Sequence, residues 1–232
     1  MKRVAVTGWS VHLPGVDEAC APEQASTLLG RKGLLMKEPA TRLALCAVHR
    51  ALKMGVGERV DGPVRTDTAV VASSNLGNVE TVVDVVRTVT ADGGKAVSPM
   101  VAPNASSNVL SGTVAMWFKL GGPNLMLCSG RESGLHALRL GALLLRSGRA
   151  SRVVVVGAEP DDPVATGIHA QGGSNVPLRA GAACVILEQS DEGLSLESLK
   201  SSPLSGTGDC YGAQGILEIA LAAESMHLGR AA

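Results

Sequence analysis

Short runs of β-branched residues alternate along this chain with longer segments of helical periodicity. One such run, VVVV at residues 153–156, follows a helical pattern that stops at Ser147-Gly148. This alternation is typical of folds in which helices cover a mostly parallel sheet. We therefore predict an α/β layered fold with a largely parallel mixed sheet flanked by helices.

The same pattern gives approximate element bounds. A sixth strand is predicted to form a hairpin with the fifth, because the turn Asp191-Glu192-Gly193 separates them. No repeat, linker or low-complexity tract interrupts the pattern, so we predict a single domain over residues 1–232. The predicted strands cover residues 3–7, 69–73, 124–128, 153–157, 182–188 and 195–199, and the predicted helices cover residues 41–54, 79–91, 107–119, 133–147 and 212–227.

The composition excludes several functions. Apolar residues make up 45% of the chain but aromatic residues only 2%, so small and medium aliphatic side chains must fill the core. Lys plus Arg equals Asp plus Glu at 21 each, so no overall field attracts nucleic acid or an anionic membrane. We expect no membrane span and no secretion signal, and hence a cytoplasmic protein.

No cofactor or metal is predicted. The five cysteines contain no CxxC pair, so they indicate buried free thiols rather than disulfides or a zinc site. Residues 8–15 lack a GxGxxG pattern, and a GK[ST] phosphate loop is absent from the sequence. His136, within a leucine-rich helix, is interpreted as structural rather than as a ligand.

The segment LCSGRESGLHALRL, residues 127–140, joins a predicted strand to a predicted helix. Such a junction suits a nucleophile, since the first NH groups of a helix are unpaired and its dipole favours negative charge. The unexpected residue at this position is Arg131. A cation there opposes the helix dipole, so Arg131 requires a partner.

Several segments resemble the β-ketoacyl synthases of the thiolase fold. The segment GPNLMLCSGRESGLHALRLGALLLRSGRASRVVVVGAEP is similar to their nucleophile region, and VAVTGWSVHLPG is similar to their first strand and loop. PNASSNVLSGTVAMWFKLGGPN and AGAACVILE resemble two further segments of the same half. The resemblance implies a thiolase-like layered fold, mostly its N-terminal half, with the C-terminal half largely deleted.

The resemblance also implies that the catalytic groups are missing. Arg131 stands at the nucleophile position, Asp209 at a histidine position and Leu204 at the lysine position, and the His-Gly-Thr-Gly-Thr motif does not occur. A guanidinium is protonated at any relevant pH and cannot attack a thioester. Cys128 is predicted to lie within the strand, away from the helix entrance that would stabilise a thiolate. We therefore expect no catalytic residue.

Since the periodic pattern is intact from Val4 to Leu228, the fold is still in use. The chain resembles the shortened chain-length-factor-like subunits of aryl polyene type systems. This resemblance implies a full-length ketosynthase partner in a heterodimer or higher oligomer, with an acyl carrier protein as a further possible partner. An uncovered edge at residues 124–128 also favours a partner. The interface or tunnel candidates are Met100, Asn104, Leu125, Met126, Cys128 and Arg131.

Two of these candidates have competing interpretations. Arg131 is hypothesised to seal the former active-site pocket or the interface through an ion pair or a carbonyl contact; alternatively it pairs only with Glu132 in solvent. Met100 is a candidate for reaching the partner's acyl tunnel, where a flexible side chain could limit chain length; alternatively it fills the core of its own chain.

Three other functions remain open. The chain could be an independent enzyme whose new site uses Ser129, Arg131, Glu132 and His136, although GRESG lacks the GxSxG spacing. It could be a homodimeric scaffold without a ketosynthase partner. It could also bind an acidic carrier protein by itself, through the basic residues Arg146, Arg149 and Arg152.

Overall fold

The computed structural model describes residues 3–16, 19–200 and 208–231. These residues form one six-stranded sheet and seven α-helices, joined by loops and short 3-10 turns. The strands are β1 (Val4–His12), β2 (Thr68–Ser73), β3 (Asn124–Leu127), β4 (Arg152–Glu159), β5 (Gly181–Gln189) and β6 (Leu194–Ser195). The helices are α1 (Ser26–Leu29), α2 (Pro39–Ala51), α3 (Val79–Asp92), α4 (Val109–Trp117), α5 (Ser133–Arg146), α6 (Pro163–Gln171) and α7 (Gln214–Ala231).

The sheet is mixed, with the strand order β3-β2-β4-β5-β1-β6. Strand β2 runs parallel to both β3 and β4, whereas β4 with β5, β5 with β1, and β1 with β6 are antiparallel. The mixed sheet is confirmed, but the expectation of a largely parallel one is corrected. Runs of valine and alanine occur in any strand that is buried on both faces, so they do not reveal strand direction.

Helices cover both faces of the sheet because both faces of its central strands are apolar. In β4, Val153 and Val155 pack into a cluster with residues of α5 and α7. Val154 and Val156 point the other way, into a cluster with residues of α2 and α4. Since side chains alternate along a strand, four consecutive valines supply both layers. The predicted α/β layered architecture is confirmed.

The predicted hairpin after β5 is wrong. Strand β6 pairs with β1 through Ala5 and Val6, and residues Leu196–Ser198 form a 3-10 turn. The chain therefore crosses from β5 to the far side of β1 instead of returning along β5. Helix α6, which the sequence analysis did not predict, begins after Asp162, whose carboxylate accepts hydrogen bonds from the backbone of Val164 and Ala165.

Within the part of the chain that the structure describes, no helix is both long and apolar enough to cross a lipid bilayer. Strand β3 forms one end of the sheet, and its first two residues, Asn124 and Leu125, are exposed. Strands at the ends of sheets carry unpaired backbone groups on one side. The sheet therefore ends on an accessible edge with apolar character.

Candidate functional site

The candidate site lies where the three parallel strands end. Because β2, β3 and β4 run in the same direction, their carboxyl ends lie side by side, at what we call the carboxyl end of the sheet. The loop after β2 contributes Asn75, the turn after β3 contributes Arg131, and β4 ends on Glu159. The turn that precedes α7 crosses the carboxyl end of the sheet, where the carbonyl of Gly212 accepts a hydrogen bond from the Ser73 hydroxyl at 3.0 Å. A side chain at Gly212 would collide with Asn75 and Glu159.

Arg131 forms an ion pair with Asp209 at the carboxyl end of the sheet. The guanidinium Nη1 donates to Asp209 Oδ1 at 3.1 Å, and Nη2 donates to Oδ2, so the contact is bidentate. Asp209 is buried, with 3% of its side chain exposed, while half of the Arg131 side chain is exposed. The partner that the cation at this turn requires is therefore a buried carboxylate distant in sequence, not Glu132.

Further groups hold the Asp209 carboxylate in place. His169, on α6, lies with Nε2 3.0 Å from Oδ2, and the backbone NH of Tyr211 donates to Oδ1 at 2.8 Å. Tyr211 adopts a left-handed backbone conformation with φ of 42°. Such a conformation costs free energy in a non-glycine residue and persists only where the surroundings fix it. The contacts of the Asp209 carboxylate thus fix the conformation of the turn before α7.

A cavity of about 280 Å³ lies beside the ion pair. Arg131, His169 and Tyr211 contribute to its wall, and the loop after α6 covers another side with Gly172 and Gly173. Arg131 of the ion pair therefore forms part of the wall of this cavity.

Glu159 is a buried acid that the sequence analysis missed. Its carboxylate accepts hydrogen bonds from the backbone NH groups of Asn75 at 2.7 Å and Leu76 at 2.9 Å, and from the hydroxyl of Ser74 at 3.2 Å. Asn75 in turn bonds both the NH and the carbonyl of Gly130. Glu159 thus fixes the loop that positions the Arg131 turn. The sequence did carry a signal for this residue, because Glu159 stands at the end of a hydrophobic strand in the segment GAE.

Burial raises the pKa of Glu159 to about 7 from its ordinary value of 4.5, although its hydrogen bonds oppose the shift. The folded chain thus holds this proton at a pH where the unfolded chain has lost it. We expect the corresponding stability, about 3 kcal/mol, to be present below pH 4.5 and lost as the pH rises through about 7. Urea unfolding between pH 4.5 and 8 measures it. Glu159→Gln should flatten this pH dependence, and Glu224→Gln, at an exposed position of α7, should not.

Cys128 does not replace the missing nucleophile. Strand β3 ends at Leu127, so Cys128 follows the strand rather than lying within it as predicted. Its thiol donates to the carbonyl of Ser74 at 3.1 Å. Burial, with a smaller effect of the Glu159 charge, raises the pKa of this thiol. Because the thiolate is the reactive form, Cys128 is less nucleophilic than an ordinary cysteine.

The structure brings Ser129 and His136 together. The Ser129 hydroxyl lies 2.9 Å from His136 Nδ1 and 3.3 Å from the hydroxyl of Ser133. A hydroxyl within hydrogen-bonding distance of an imidazole is the first requirement of a serine nucleophile. Of the four residues suggested for an independent site, these two form a pair, while Arg131 is engaged by Asp209.

The interface and tunnel candidates fall into two groups. Met100 and Leu125 are exposed, with 62% and 36% of their surfaces accessible, and Met126 packs partly against the α2/α4 layer. Asn104 is 6% exposed, and its amide donates to the carbonyl of Met36 at 2.6 Å. Asn104 therefore stabilises its own chain. Leu204 lies outside the described residues.

The suggested basic patch is largely neutralised. Arg146 pairs with Glu197 at 2.8 Å, and Arg152 pairs with Glu188 at 2.7 Å. A carboxylate beside each of these cations reduces the field that an acidic partner would meet. Arg149 is exposed at the turn between α5 and β4.

The chain is similar in sequence to β-ketoacyl synthases. A model of the β-ketoacyl synthase N-terminal domain matches residues 30–177. A 3-oxoacyl-(acyl-carrier-protein) synthase 2 from Rhizobium meliloti (strain 1021) is 28% identical over 122 residues, which are 53% of this chain and 29% of that protein. The aligned part is thus less than a third of that relative's length.

Solved structures share the fold. The ishigamide ketosynthase/chain length factor superposes on 82% of this chain and 63% of its own, with a TM-score of 0.68 and 22% identity. The ketosynthase AntDE in complex with its acyl-carrier protein AntF superposes on 82% of this chain and 63% of its own, with a TM-score of 0.64 and 17% identity. Ketosynthase twelve of the bacillaene polyketide synthase of Bacillus amyloliquefaciens superposes on 80% of this chain and 41% of its own, with a TM-score of 0.53 and 17% identity. With the matched domain covering more than half of its residues, the chain belongs to the β-ketoacyl synthase family.

Proposed function

We propose that this chain is a non-catalytic, chain-length-factor-like subunit that pairs with an active β-ketoacyl synthase. The reaction would be chain elongation in type II polyketide or fatty-acid-like (polyene) biosynthesis. The observation that carries the proposal is the bidentate ion pair between Arg131 and Asp209. These two residues stand at the positions that the family resemblance assigns to the nucleophile and to a histidine.

The ion pair accounts for the lack of catalysis in chemical terms. Acyl transfer needs a nucleophile that accepts the acyl group and a base or donor that handles charge on the thioester oxygen. Arg131 has no free lone pair. The Asp209 carboxylate already accepts hydrogen bonds from Arg131 and Tyr211 and contacts His169, so it is committed to structure.

A partner subunit is supported by the accessible edge of the sheet. Leu125 is exposed on the end strand β3, where a strand or helix of another subunit could bury it. The structural relatives include a ketosynthase/chain length factor and a ketosynthase in complex with its acyl-carrier protein. By analogy with them, we propose a full-length ketosynthase as the partner, with the carrier protein docking on the complex.

Met100 provides a prediction about product length. If this exposed side chain enters the partner's acyl tunnel, Met100→Ala should lengthen the products and Met100→Trp should shorten them. Products of the reconstituted complex, analysed by mass spectrometry, measure the shift. Met116→Ala, at another exposed methionine on α4, is the control and should leave the distribution unchanged. Unchanged product lengths with both Met100 variants would remove its tunnel role.

Co-expression tests the proposed pairing. The chain and the full-length ketosynthase proposed as its partner should elute together in gel filtration, at the mass of a heterodimer or of a multiple of it. Separate elution, with this chain forming a self-associated species, would favour the homodimeric scaffold. Binding of the chain alone to the acyl carrier protein would favour the carrier-binding module instead.

The contact between Ser129 and His136 supports a second candidate, an independent acyltransferase with a serine nucleophile. His136 Nδ1 would accept the hydroxyl proton as Ser129 attacks the thioester carbonyl, and it would return that proton to the carrier thiolate that leaves when the C–S bond breaks. Transfer of a labelled acyl group to the isolated chain, lost in Ser129→Ala, would establish this function. The same Ser129→Ala variant should pair normally with the ketosynthase.

A further inference from the structure

Three side chains with soft metal-ligand atoms, none of which contributes to the Arg131 site, meet between β1 and α2. A ring nitrogen of His12, at the end of β1, and the sulfur atoms of Cys20 and Cys46 all lie within 4.8 Å of one another. We refer to these three residues as the thiol–imidazole cluster. His12 and Cys46 are buried, whereas Cys20 is partly exposed, so an ion could enter from the Cys20 side.

The hydrogen bonding of His12 leaves one ring nitrogen without a partner. Nε2 lies 2.9 Å from the carbonyl oxygen of Cys20, and Nδ1 is buried with no hydrogen-bond partner. Nε2 also lies 3.8 Å from Cys20 Sγ, so Nε2 is the ring nitrogen that faces the sulfur atoms, and a metal bound there would replace the carbonyl contact.

We propose that the thiol–imidazole cluster binds a thiophilic metal ion of the Zn²⁺ class through His12, Cys20 and Cys46. Tetrahedral zinc holds sulfur at about 2.3 Å and nitrogen at about 2.0 Å, which separates its ligand atoms by about 3.5 to 3.8 Å. Cys20 Sγ lies 3.8 Å from His12 Nε2. The 4.8 Å limit on the other separations therefore requires closure by no more than about 1 Å. Three protein ligands leave a fourth position for water or an external ligand.

The charge states of the cluster suit a metal. Both thiols would lose their protons to solvent as the metal binds. One divalent cation with two thiolates and a neutral imidazole is uncharged overall, which limits the cost of burying them.

Cobalt provides a direct test on the whole chain, reduced and freed of metal by a chelator. Co²⁺ should bind one per chain and give thiolate-to-cobalt charge transfer and the intense d–d bands of tetrahedral coordination, and Zn²⁺ should displace it. Cys20→Ser should weaken Co²⁺ binding by at least the roughly 10–100-fold that lost supporting contacts cost metal sites. Cys128→Ser, which removes an accessible thiol outside the cluster, should leave the spectrum unchanged.

A second measurement avoids variants that could disturb folding. Bound Zn²⁺ should slow alkylation of the partly exposed Cys20 in the wild-type chain, read by peptide mass spectrometry, while the rate at Cys128 stays the same with and without Zn²⁺. An octahedral cobalt spectrum, a tetrahedral spectrum that survives in Cys20→Ser, or an unchanged alkylation rate at Cys20 would overturn the proposal. Failure of Zn²⁺ to bind after a reductant has opened any Cys20–Cys46 disulfide would also overturn it and assign the cluster to thiol oxidation.

Discussion

Replacing Arg131 by alanine should lower the free energy of unfolding by about 2–3 kcal/mol, because the buried Asp209 carboxylate would lose its cation. Removing one member of a fully buried ion pair costs about 3–5 kcal/mol. The expected value is smaller because half of the Arg131 side chain is exposed and because Tyr211 and His169 still contact the carboxylate. Urea unfolding at pH 7 provides the measurement.

Arg146→Ala is the matched control. Arg146 also forms a salt bridge from helix α5, but its partner Glu197 is 75% exposed. Exposed pairs contribute at most about 1 kcal/mol, so this substitution should have little effect. In a double-mutant cycle, Arg131→Ala with Asp209→Ala should cost about 1–3 kcal/mol less than the sum of the two single substitutions. Additive costs, or equal costs for Arg131 and Arg146, would show that the pair does not hold the turn.

Leu125→Arg should weaken binding to the proposed ketosynthase partner by at least about 30-fold, equivalent to about 2 kcal/mol. Leu125 is the exposed apolar residue of the end strand β3. A subunit that pairs there would bury its side chain, and an arginine would bring an uncompensated charge into the contact. Titration of the purified partner, followed by a label on either chain, gives the dissociation constant.

Leu143→Arg makes the same chemical change on the exposed side of helix α5, where 58% of Leu143 is accessible. It should leave the dissociation constant within about twofold, since surface substitutions usually change free energies by less than about 0.5 kcal/mol. Equal weakening by both variants, or none by Leu125→Arg, would place the interface elsewhere on the chain. The unfolding midpoint of each variant shows whether the fold has survived the substitution.

The elements of this fold were predictable where a local pattern determines them. The four valines of β4 and the leucine-rich α5 have patterns long enough to identify their type and approximate ends. The direction of each strand and its neighbours in the sheet were not predictable, because strand pairing depends on segments that are distant in the sequence. The hairpin assigned to residues 195–199 failed for this reason, since the turn at Gly193 is equally compatible with a crossing to β1.

The candidate site shows the same division. The unusual cation at Arg131 was visible in the sequence, and so was the need for a partner. The partner itself was not identifiable, because Asp209 lies on a turn that reaches the site only through the packing of α7. Glu159 was missed because its contacts join residues far apart in the sequence, and the thiol–imidazole cluster was missed because Cys46 reaches His12 and Cys20 only through the packing of α2 on β1.

Acyl loading tests the central claim of a non-catalytic subunit most directly. The chain and the ketosynthase proposed as its partner, alone and together, are incubated with an acyl-loaded carrier protein, and the intact mass of each polypeptide is measured. The proposed function predicts an acyl adduct on the ketosynthase and an unchanged mass for this chain in every mixture. An acyl adduct on this chain, at Ser129 or at any other residue, would contradict it.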